Sequence, residues 1–481
     1  MQPFHPASSL AFSFILTAAS FAPADAANAA EPSRPPNIVF IMADDLGYAE
    51  VGCYGQTKIR TPRIDGMARE GIRFTQFYSG SPVCAPARCV LLTGKHSGHA
   101  WIRNNAEVNA EVNPEGQRPI PAAEVTIAET LRQRGYATGC VGKWGLGFPG
   151  SEGDPVKQGF DLFFGYNCQR QAHNFYPRHL WRNETKVPLE GNDRGLTGKQ
   201  YSHDLIEAEA LEFIDAHRAG PFFLYVPFTI PHVALQVPED SLAEYKGKWD
   251  DPPYESGRGY LPHPHPRAAY AAMVTRMDRS VGRILDRLKE LKLDENTIVF
   301  FTSDNGPTHD AGGADSGFFE SAKPFRGLKG SLYEGGVRVP LVVRWPGKIE
   351  AGRTSEHVAA FQDVFSTLCA IAAAEPPEGL DGISFMPTLL GKGEQPAHPH
   401  LYFEFHGYGG QQSVRLGNWK GIRRDLRKGL SELELYDLSR DVAESKNAAP
   451  HHPDVVARIL EIMKTEHEPS ELFRMPAIDG E

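Results

Sequence analysis

The sequence predicts an α/β protein. A large, mostly parallel sheet sandwiched by helices is followed by a smaller C-terminal α+β domain built on an antiparallel sheet. Three observations predict it. Apolar runs rich in β-branched and aromatic residues recur along the chain without polar alternation, the mark of strands buried on both faces. Helical patterns with start and stop signals fall between those runs, the rhythm of parallel strands joined by crossover helices. After residue 391 the rhythm changes to short β-like pieces and one late helix. At 481 residues the chain is long enough for both domains.

Residues 1–29 read as an export signal. Leu10-Ala11-Phe12-Ser13-Phe14-Ile15-Leu16 opens an apolar stretch, with possible cleavage sites at Ala24-Asp25-Ala26 and Ala27-Asn28-Ala29. No Lys or Arg precedes the stretch, so an uncleaved anchor is the alternative, although the run is short for a bilayer span. The expectation is a periplasmic or secreted protein with no stable membrane span. Residues 30–36, containing Glu31-Pro32-Ser33-Arg34-Pro35-Pro36, read as a linker, residues 37–391 as the main domain and 392–481 as the C-terminal subdomain.

Asn37-Ile38-Val39-Phe40-Ile41-Met42 is the first buried strand and stops at Ala43-Asp44-Asp45. Thr61-Pro62 supplies an N-cap and first-turn proline for a helix ending near Gly71. Pro86 is suited to the first turn of another helix, leaving Cys84 beside its N-terminus, where an anion is welcome. Thr126-Ile127-Ala128-Glu129 is a capping box for a helix ending at Gly135, and a short strand follows through 137–141. A helix near 204–217 precedes a strand over 222–228, and a longer amphipathic helix over 267–291 precedes one over 297–302. Past the Pro/Gly-rich 375–393 come β-like pieces at 401–405, 413–416 and 433–436, then a helix near 453–467.

A formal charge of −10, with neither a basic tail nor a basic stripe, argues against a nucleic-acid or anionic-membrane binder. It is compatible with an anionic substrate, because a few cations in a cleft outweigh a distant acidic surface. Cys53, Cys84, Cys89, Cys140, Cys168 and Cys369 show neither CxxC spacing nor a zinc-ribbon pattern. If Cys84 is reserved for chemistry an odd number remains, so at least one other thiol is free or paired between chains.

Each buried strand ends on chemically active residues: Asp44 and Asp45 after the first, Lys143 after the strand at 137–141, His232 after that at 222–228, and Asp304 and Asn305 after that at 297–302. Ligands of open α/β sheets bind at these carboxyl ends. One such residue is an ordinary turn former; the coincidence of four strand ends points to a site. Asp44, Asp45, Asp304 and Asn305 offer oxygen ligands only, which suits a hard cation, Ca²⁺ in preference to Mg²⁺. Arg88, Lys143, His232 and Lys329 are cationic or can become so. A divalent metal ringed by such groups describes a pocket for a tetrahedral oxyanion, and hence sulfate or phosphate transfer.

Asp44-Asp45 after a strand, Cys84-x-Pro86-x-Arg88 with Leu91-Leu92-Thr93-Gly94, Gly142-Lys143-Trp144, Ser303-Asp304-Asn305-Gly306 and Lys329-Gly330-Ser331-Leu332-Tyr333-Glu334-Gly335-Gly336 together resemble the type I sulfatases. That family lies within the alkaline-phosphatase superfamily and includes arylsulfatases and N-acetylgalactosamine-6-sulfatases. The likeness runs from about Pro35 to Gly391. It implies that a formylglycine-generating enzyme oxidises Cys84 to formylglycine, and that the hydrated aldehyde is the nucleophile. One hydroxyl attacks sulfur and the second lets the carbon expel sulfate. It also implies Ca²⁺ bound by Asp44, Asp45, residue 84, Asp304 and Asn305. Arg88 and Lys143 would hold the aldehyde hydrate, while Lys329 and His232 would contact sulfate, one of them protonating the leaving oxygen.

One departure matters. The family usually reads Gly-Lys-Trp-His, whereas this chain has Gly142-Lys143-Trp144-Gly145. His173 is the candidate replacement for the missing proton acceptor, or a sugar contact. Arg103, Asn104 and Asn105 are candidates for the pocket rim, His309 and Asp310 for meeting the substrate beside the metal motif, and His406 for reaching the cleft from the C-terminal domain; His263 and His265 lie in a Pro-rich loop without a third metal ligand. The expected substrate is a sulfated carbohydrate or another sulfate ester. The alternatives are a phosphomonoester or phosphonate hydrolase of the same superfamily, and a carbohydrate-binding relative that has lost catalysis.

Overall fold

A computed structural model describes residues 34–105, 107–108, 115–255 and 259–480, with scattered positions before residue 14. The export signal, including both possible cleavage sites, lies almost wholly outside the described residues, as does most of the linker. Among the described residues no helix is long and apolar enough to cross a membrane.

The large sheet comprises β1 (Asn37–Asp44), β2 (Ile72–Tyr78), β3 (Ala137–Lys143), β4 (Leu162–Tyr166), β5 (His179–Arg182), β6 (Thr185–Pro188), β7 (Phe222–Pro231), β8 (Thr297–Ser303), β9 (Arg338–Arg344), β10 (Arg353–Ser355) and β11 (Ala359–Ala360). A second sheet holds β12 (Leu401–Phe405), β13 (Gln411–Leu416), β14 (Trp419–Arg424) and β15 (Glu434–Asp437). The large sheet runs β10-β2-β9-β8-β1-β7-β3-β4-β5-β6, with β11 also on β2. Its centre, β8-β1-β7-β3-β4, is parallel. β9 runs antiparallel to both β8 and β2, and β5 and β6 add an antiparallel hairpin at the far edge.

The absence of polar alternation in β1 has the expected cause. Val39 and Ile41 point to one face, where they meet the helices Pro62–Glu70, Ser202–His217 and Pro266–Glu290. Ile38, Phe40 and Met42 point to the other, against Cys84–Thr93, Ile127–Gln133 and Gln362–Ala372. Successive side chains alternate between faces, and here both faces are core. The capping box forms: Thr126 Oγ1 accepts from the Glu129 amide at 3.3 Å, and the Glu129 carboxylate accepts from the Thr126 amide at 2.8 Å.

Three differences have local causes. The helix expected to start at Pro86 begins at Cys84, with Val83 as N-cap, so residue 84 belongs to its first turn. β2, β4, β5, β6, β10 and β11 escape sequence reading, as do β9, which carries Pro340, normally an argument against an interior strand, and β14, which is polar with a central glycine. The strands β1, β3 and β7 run two to three residues past their apolar runs, which brings Asp44, Lys143 and Pro231 into the sheet itself.

The small sheet is antiparallel throughout and carries the helix Pro453–Thr465, whose Ile459 and Met463 pack on Val414 and Leu435. It belongs to the same compact unit as the large sheet, Pro35–Glu481. Buried ion pairs join the two: Lys420 Nζ lies 2.8 Å from Glu334 and 3.3 Å from Glu444, and Arg103 lies 3.0 Å from Glu404.

Candidate active site

Asp44 ends β1, and Asp304 and Asn305 follow β8, its parallel neighbour, so the pairing of these two strands alone brings their carboxyl ends together. The turn is pinned by backbone and hydroxyl bonds. The Asp304 amide donates to Ala43 O at 3.1 Å, and the Leu46 amide to Ser303 Oγ at 2.9 Å. Asp45 sits between them in the left-handed region at φ 64°, a conformation that costs a non-glycine residue and persists where surrounding bonds impose it. Its amide donates to Asp304 Oδ1 at 3.1 Å, and Asn305 Nδ2 donates to Asp45 Oδ1 at 2.8 Å.

All four side chains are fully buried. Three carboxylates so close repel one another, and burial followed by the charge of Asp44 pushes Asp304 up to about 6. Asn305 Oδ1 is buried without a hydrogen-bond partner among the described residues. Crowded carboxylates and an orphaned carbonyl oxygen fit a hard cation, with Cys84 and His232 as the only softer donors within reach of the group among the described residues.

The cations close around this group. Arg88, one turn into the helix Cys84–Thr93, lies 2.7 Å from Asp304 Oδ2 and 3.7 Å from Asp44, and it also donates to the Lys143 carbonyl. Lys143, the last residue of β3, lies 2.6 Å from Asp44. Lys329 arrives on a loop held by its own amide on Pro307 O and by the Gly330 amide on Pro82 O. Its Nζ stands 2.7 Å from Asp45. Burial alone would raise Asp44, but Lys143, His232, Arg88 and Lys329 hold it well below the ordinary carboxylate range. Burial would lower Lys329, and Asp45 reverses the direction, keeping it firmly charged.

Cys84 Sγ occupies the middle, 3.4 Å from both Asp44 Oδ1 and Lys329 Nζ. Burial, then Asp44, pushes its thiol up to about 12. The helix N-terminus therefore does not make a thiolate here. The neighbouring amide of Ala85 is already taken by Asn105 Oδ1 at 3.0 Å. Six free cysteines are present and no disulfide joins them.

His232 follows β7. Its Nδ1 bonds the Val233 carbonyl, which turns Nε2 toward Asp45 Oδ2 at 3.5 Å. His173 stacks on it with centroids 4.1 Å apart and rings inclined by 15°. Burial, first of all, lowers both imidazoles well below their ordinary range.

Gly145 has a structural reason that sequence reading missed. Its φ of 86° favours glycine, and an added Cβ would stand 1.9 Å from Gln169 Nε2, with Arg88 Cδ next. Gln169, rather than His173, fills the space a side chain at 145 would occupy. It is buried, and neither of its amide atoms has a hydrogen-bond partner among the described residues. The only signal in the sequence was its place in Gln169-Arg170-Gln171-Ala172-His173, ahead of the histidine. A G145H variant is therefore expected to lower turnover at least tenfold and cost about 1–3 kcal/mol of stability. Steady-state rates and urea melts check this; a variant that matches or exceeds the parent in both would refute it.

The remaining candidates scatter. Arg103 pairs with Glu404 and donates to Glu468 O, stapling the C-terminal sheet instead of lining the site. Asn104 bonds the Asn105 amide, and Asn105 reaches the Cys84 helix as described. Asp310 accepts from the Ser316 amide, and His263 Nδ1 from that of His265. His406 bonds Arg474 O in the C-terminal sheet's own surroundings. His96, His99 and Asp381 form a second cluster of potential metal ligands that sequence reading passed over. There the Gly98 amide donates to His96 Nδ1, so Nε2 carries the proton and donates to Glu466 at 3.1 Å, a hydrogen-bonded arrangement.

Comparison with known proteins agrees with this geometry. Residues 36–374 match the family model described as Sulfatase, and residues 328–468 that of the N-sulphoglucosamine sulphohydrolase C-terminal region. The chain is 33% identical to N-acetylgalactosamine-6-sulfatase of Canis lupus familiaris over 84% of its length and 76% of that protein. It is likewise 33% identical to human arylsulfatase A, covering 90% of this chain and 87% of the relative. Among solved structures, that of Ps i-CgsB in complex with k-i-k-neocarrahexaose superposes with a TM-score of 0.76 at 26% identity, covering 92% of this chain and 94% of the other. The matched family spans both the carboxylate turn and the Cys84 helix, and the fold is alkaline-phosphatase-like. The chain belongs to the sulfatase family and is a sulfuric ester hydrolase.

Proposed function

We propose that the protein hydrolyses sulfate esters of carbohydrates, with formylglycine at position 84 and Ca²⁺ at the carboxylate turn. The observation that carries this is the place of Cys84 Sγ, 3.4 Å from Asp44 and from Lys329, within a shell of three carboxylates and three permanent cations. Asp44, Asp45, Asp304 and the orphaned Oδ1 of Asn305 would hold the metal beside residue 84. When present, Ca²⁺ supplies positive charge against the sulfate oxygens, and formylglycine supplies a hydrated aldehyde oxygen as nucleophile.

The chain's own residues do the rest. Arg88 and Lys143, fixed by Asp304 and Asp44, hold the oxygens at residue 84 and stabilise negative charge there. Lys329 faces residue 84 and holds the sulfate. His232, with Nδ1 tied to a carbonyl, keeps Nε2 toward the cluster. An anion arriving there favours its protonated form, which supplies the proton for the leaving alcohol. His173 backs the His232 ring and forms the wall against which a sugar would lie. Gln169 occupies the position of the family's extra histidine; an amide orients a hydroxyl but accepts no proton. The carbohydrate assignment follows the N-acetylgalactosamine-6-sulfatase relatives and a neighbour described with D-glucosamine-2-N,6-O-disulfate as its substrate. Export to the periplasm or outside the cell, maturation by a formylglycine-generating enzyme, and a division into 37–391 and 392–481 complete the proposal.

Two measurements test it. The residue-84 peptide from protein made in its native host should carry the mass of the aldehyde. Sulfate and phosphate esters of one alcohol should be hydrolysed with sulfate strongly preferred. An unmodified cysteine in active enzyme overturns the nucleophile, and a preference for phosphate overturns the substrate class.

A further inference from the structure

Two cavities, about 500 Å³ and about 440 Å³, adjoin at the mouth of the site and share Arg170 and Arg194 in their walls. The larger is lined by His173 and Tyr260, and His173 stacks directly on His232. The smaller extends away from it past Arg178, His179 and Glu115. Each is large enough for one small ligand, and together they exceed what a single sugar needs.

The charges of this surface are unequally matched. Arg170 lies 3.0 Å from Glu107. Glu115 is shared among His179 at 2.9 Å, Trp181 Nε1 at 3.2 Å and Lys186 at 3.6 Å. Arg178 and Arg194 make no ion pair among the described residues. What sets these two arginines apart is their place: both line the same cavity without a carboxylate partner, in a protein with a formal charge of −10.

Arg194 is also held in place at a cost. Its backbone lies in the left-handed region at φ 72°, and two buried amides impose that turn. Asn174 Nδ2 donates to Arg194 O at 2.9 Å, and Gln236 Nε2 donates to Gly195 O at 2.6 Å. Gln236 is itself set by the Phe175 amide at 2.7 Å, so the turn is referenced to the segment that carries His173. Such strain at a non-glycine residue persists only where the surrounding structure imposes it, as these two amides do, so the Arg194 side chain is presented from a fixed turn.

We propose that these two cavities bind the sugars next to the reacting one, and that Arg178 and Arg194 hold a second anionic group, a sulfate or carboxylate, on those sugars. The substrate is then a polyanionic oligosaccharide. The guanidinium fork matches both anions, and it pairs with them in two parallel hydrogen bonds where a lysine offers only a point charge. This rests on the sulfatase reading above.

The test measures inhibition of 4-nitrophenyl sulfate hydrolysis by a panel of tetrasaccharides from chondroitin sulfate, heparin and carrageenan, each beside its own monosulfated monosaccharide. For at least one polymer the tetrasaccharide should inhibit at a concentration tenfold or more below that of the monosaccharide. In R178A/R194A that advantage should fall at least tenfold. R194G, which removes the side chain and relieves the backbone, should lose a large part of it, and R178K/R194K should recover some. Equal inhibition by tetrasaccharide and monosaccharide across the panel, or an advantage that survives R178A/R194A in protein with a parental melting temperature, overturns the proposal. Failure of the parent to cleave the aryl sulfate would count against the sulfatase reading alone. Calorimetric binding of the same tetrasaccharides to parent and R178A/R194A then decides the cavities independently.

Discussion

Replacing Cys84 with alanine is expected to lower kcat/KM by about 10⁴-fold or more, with stability changed by no more than about 1 kcal/mol. The asymmetry follows from the geometry. Cys84 Sγ lies 3.4 Å from both Asp44 Oδ1 and Lys329 Nζ at the centre of the cluster, where the proposed mechanism places the nucleophile. Structurally it is a small group in the first turn of a helix whose buried Val90, Leu91 and Leu92 hold it to the core. A loss of 10⁴ corresponds to about 5.5 kcal/mol of transition-state stabilisation, more than any single contact in the site supplies. Rates on an aryl sulfate and thermal melts of the same preparations check both halves. A C84A protein with activity within tenfold of the parent would remove residue 84 from the mechanism. C84S serves as a second variant, because an unmodified hydroxyl lacks the second oxygen that the proposed hydrated aldehyde would carry.

The largest expected effect on stability lies in the C-terminal sheet. Lys420, Glu334 and Glu444 are all fully buried. Lys420 sits 2.8 Å from Glu334 Oε1 and 3.3 Å from Glu444 Oε1, and Arg338 adds a contact to Glu334 at 3.0 Å. Replacing Lys420 with methionine is expected to cost about 3–5 kcal/mol, because the glutamates are left facing each other in the interior.

The two acids behave differently. Burial would raise Glu334, but Lys420 and Arg338 bring it down to about 2, so its contribution is present above its ordinary value of 4.5 and is lost as pH falls toward 2. Burial drives Glu444 up to about 7. Its contribution is therefore complete below 4.5 and is lost as pH rises through 7. E444Q should accordingly cost about 1 kcal/mol or less at pH 7, and its stability relative to the parent should improve between pH 4.5 and 8. Urea unfolding across that range tests both variants; a K420M protein within about 1 kcal/mol of the parent would show that the cluster does not hold the sheets together.

These two sites mark the boundary of what the sequence made legible. The central strands were readable because both faces are buried, which removes polar alternation and leaves runs such as Ile38–Met42 and 222–228 unmistakable. The carboxylates and cations were readable because polar residues at the ends of apolar strands have few other reasons to recur. Strands such as β9 and β14 were not, since Pro340 in one and the polar sequence of the other hide their burial. That burial comes from neighbours far along the chain.

The site divides in the same way. Asp44, Asp45, Cys84, Arg88, Lys143, His173, His232, Asp304, Asn305 and Lys329 were all chosen from sequence, and the fold gathers them around Cys84 and the carboxylate turn. Gln169 was passed over, because nothing local shows that its side chain fills the space over Gly145. Arg103, a rim candidate by sequence, is a structural staple, because its partner Glu404 lies in the other sheet. Gln411 carries no local signal of its role. It accepts from the Leu332 amide at 3.1 Å and donates to Gly330 O at 2.8 Å, clamping the Lys329 loop from β13.

The sequence by itself determined the chemistry on offer: oxygen ligands for a hard cation, cations for an oxyanion, and a cysteine in the motif that resembles the sulfatases. Those are properties of residue type and of position along a strand, and they survive without knowledge of the fold. Only the tertiary structure decided what stands over Gly145, what holds Lys329 on Cys84, and which arginines face the cavities beyond His173. Each of these depends on contacts between residues far apart in the chain, or on whether a charge finds a partner, and neither is encoded in any local stretch.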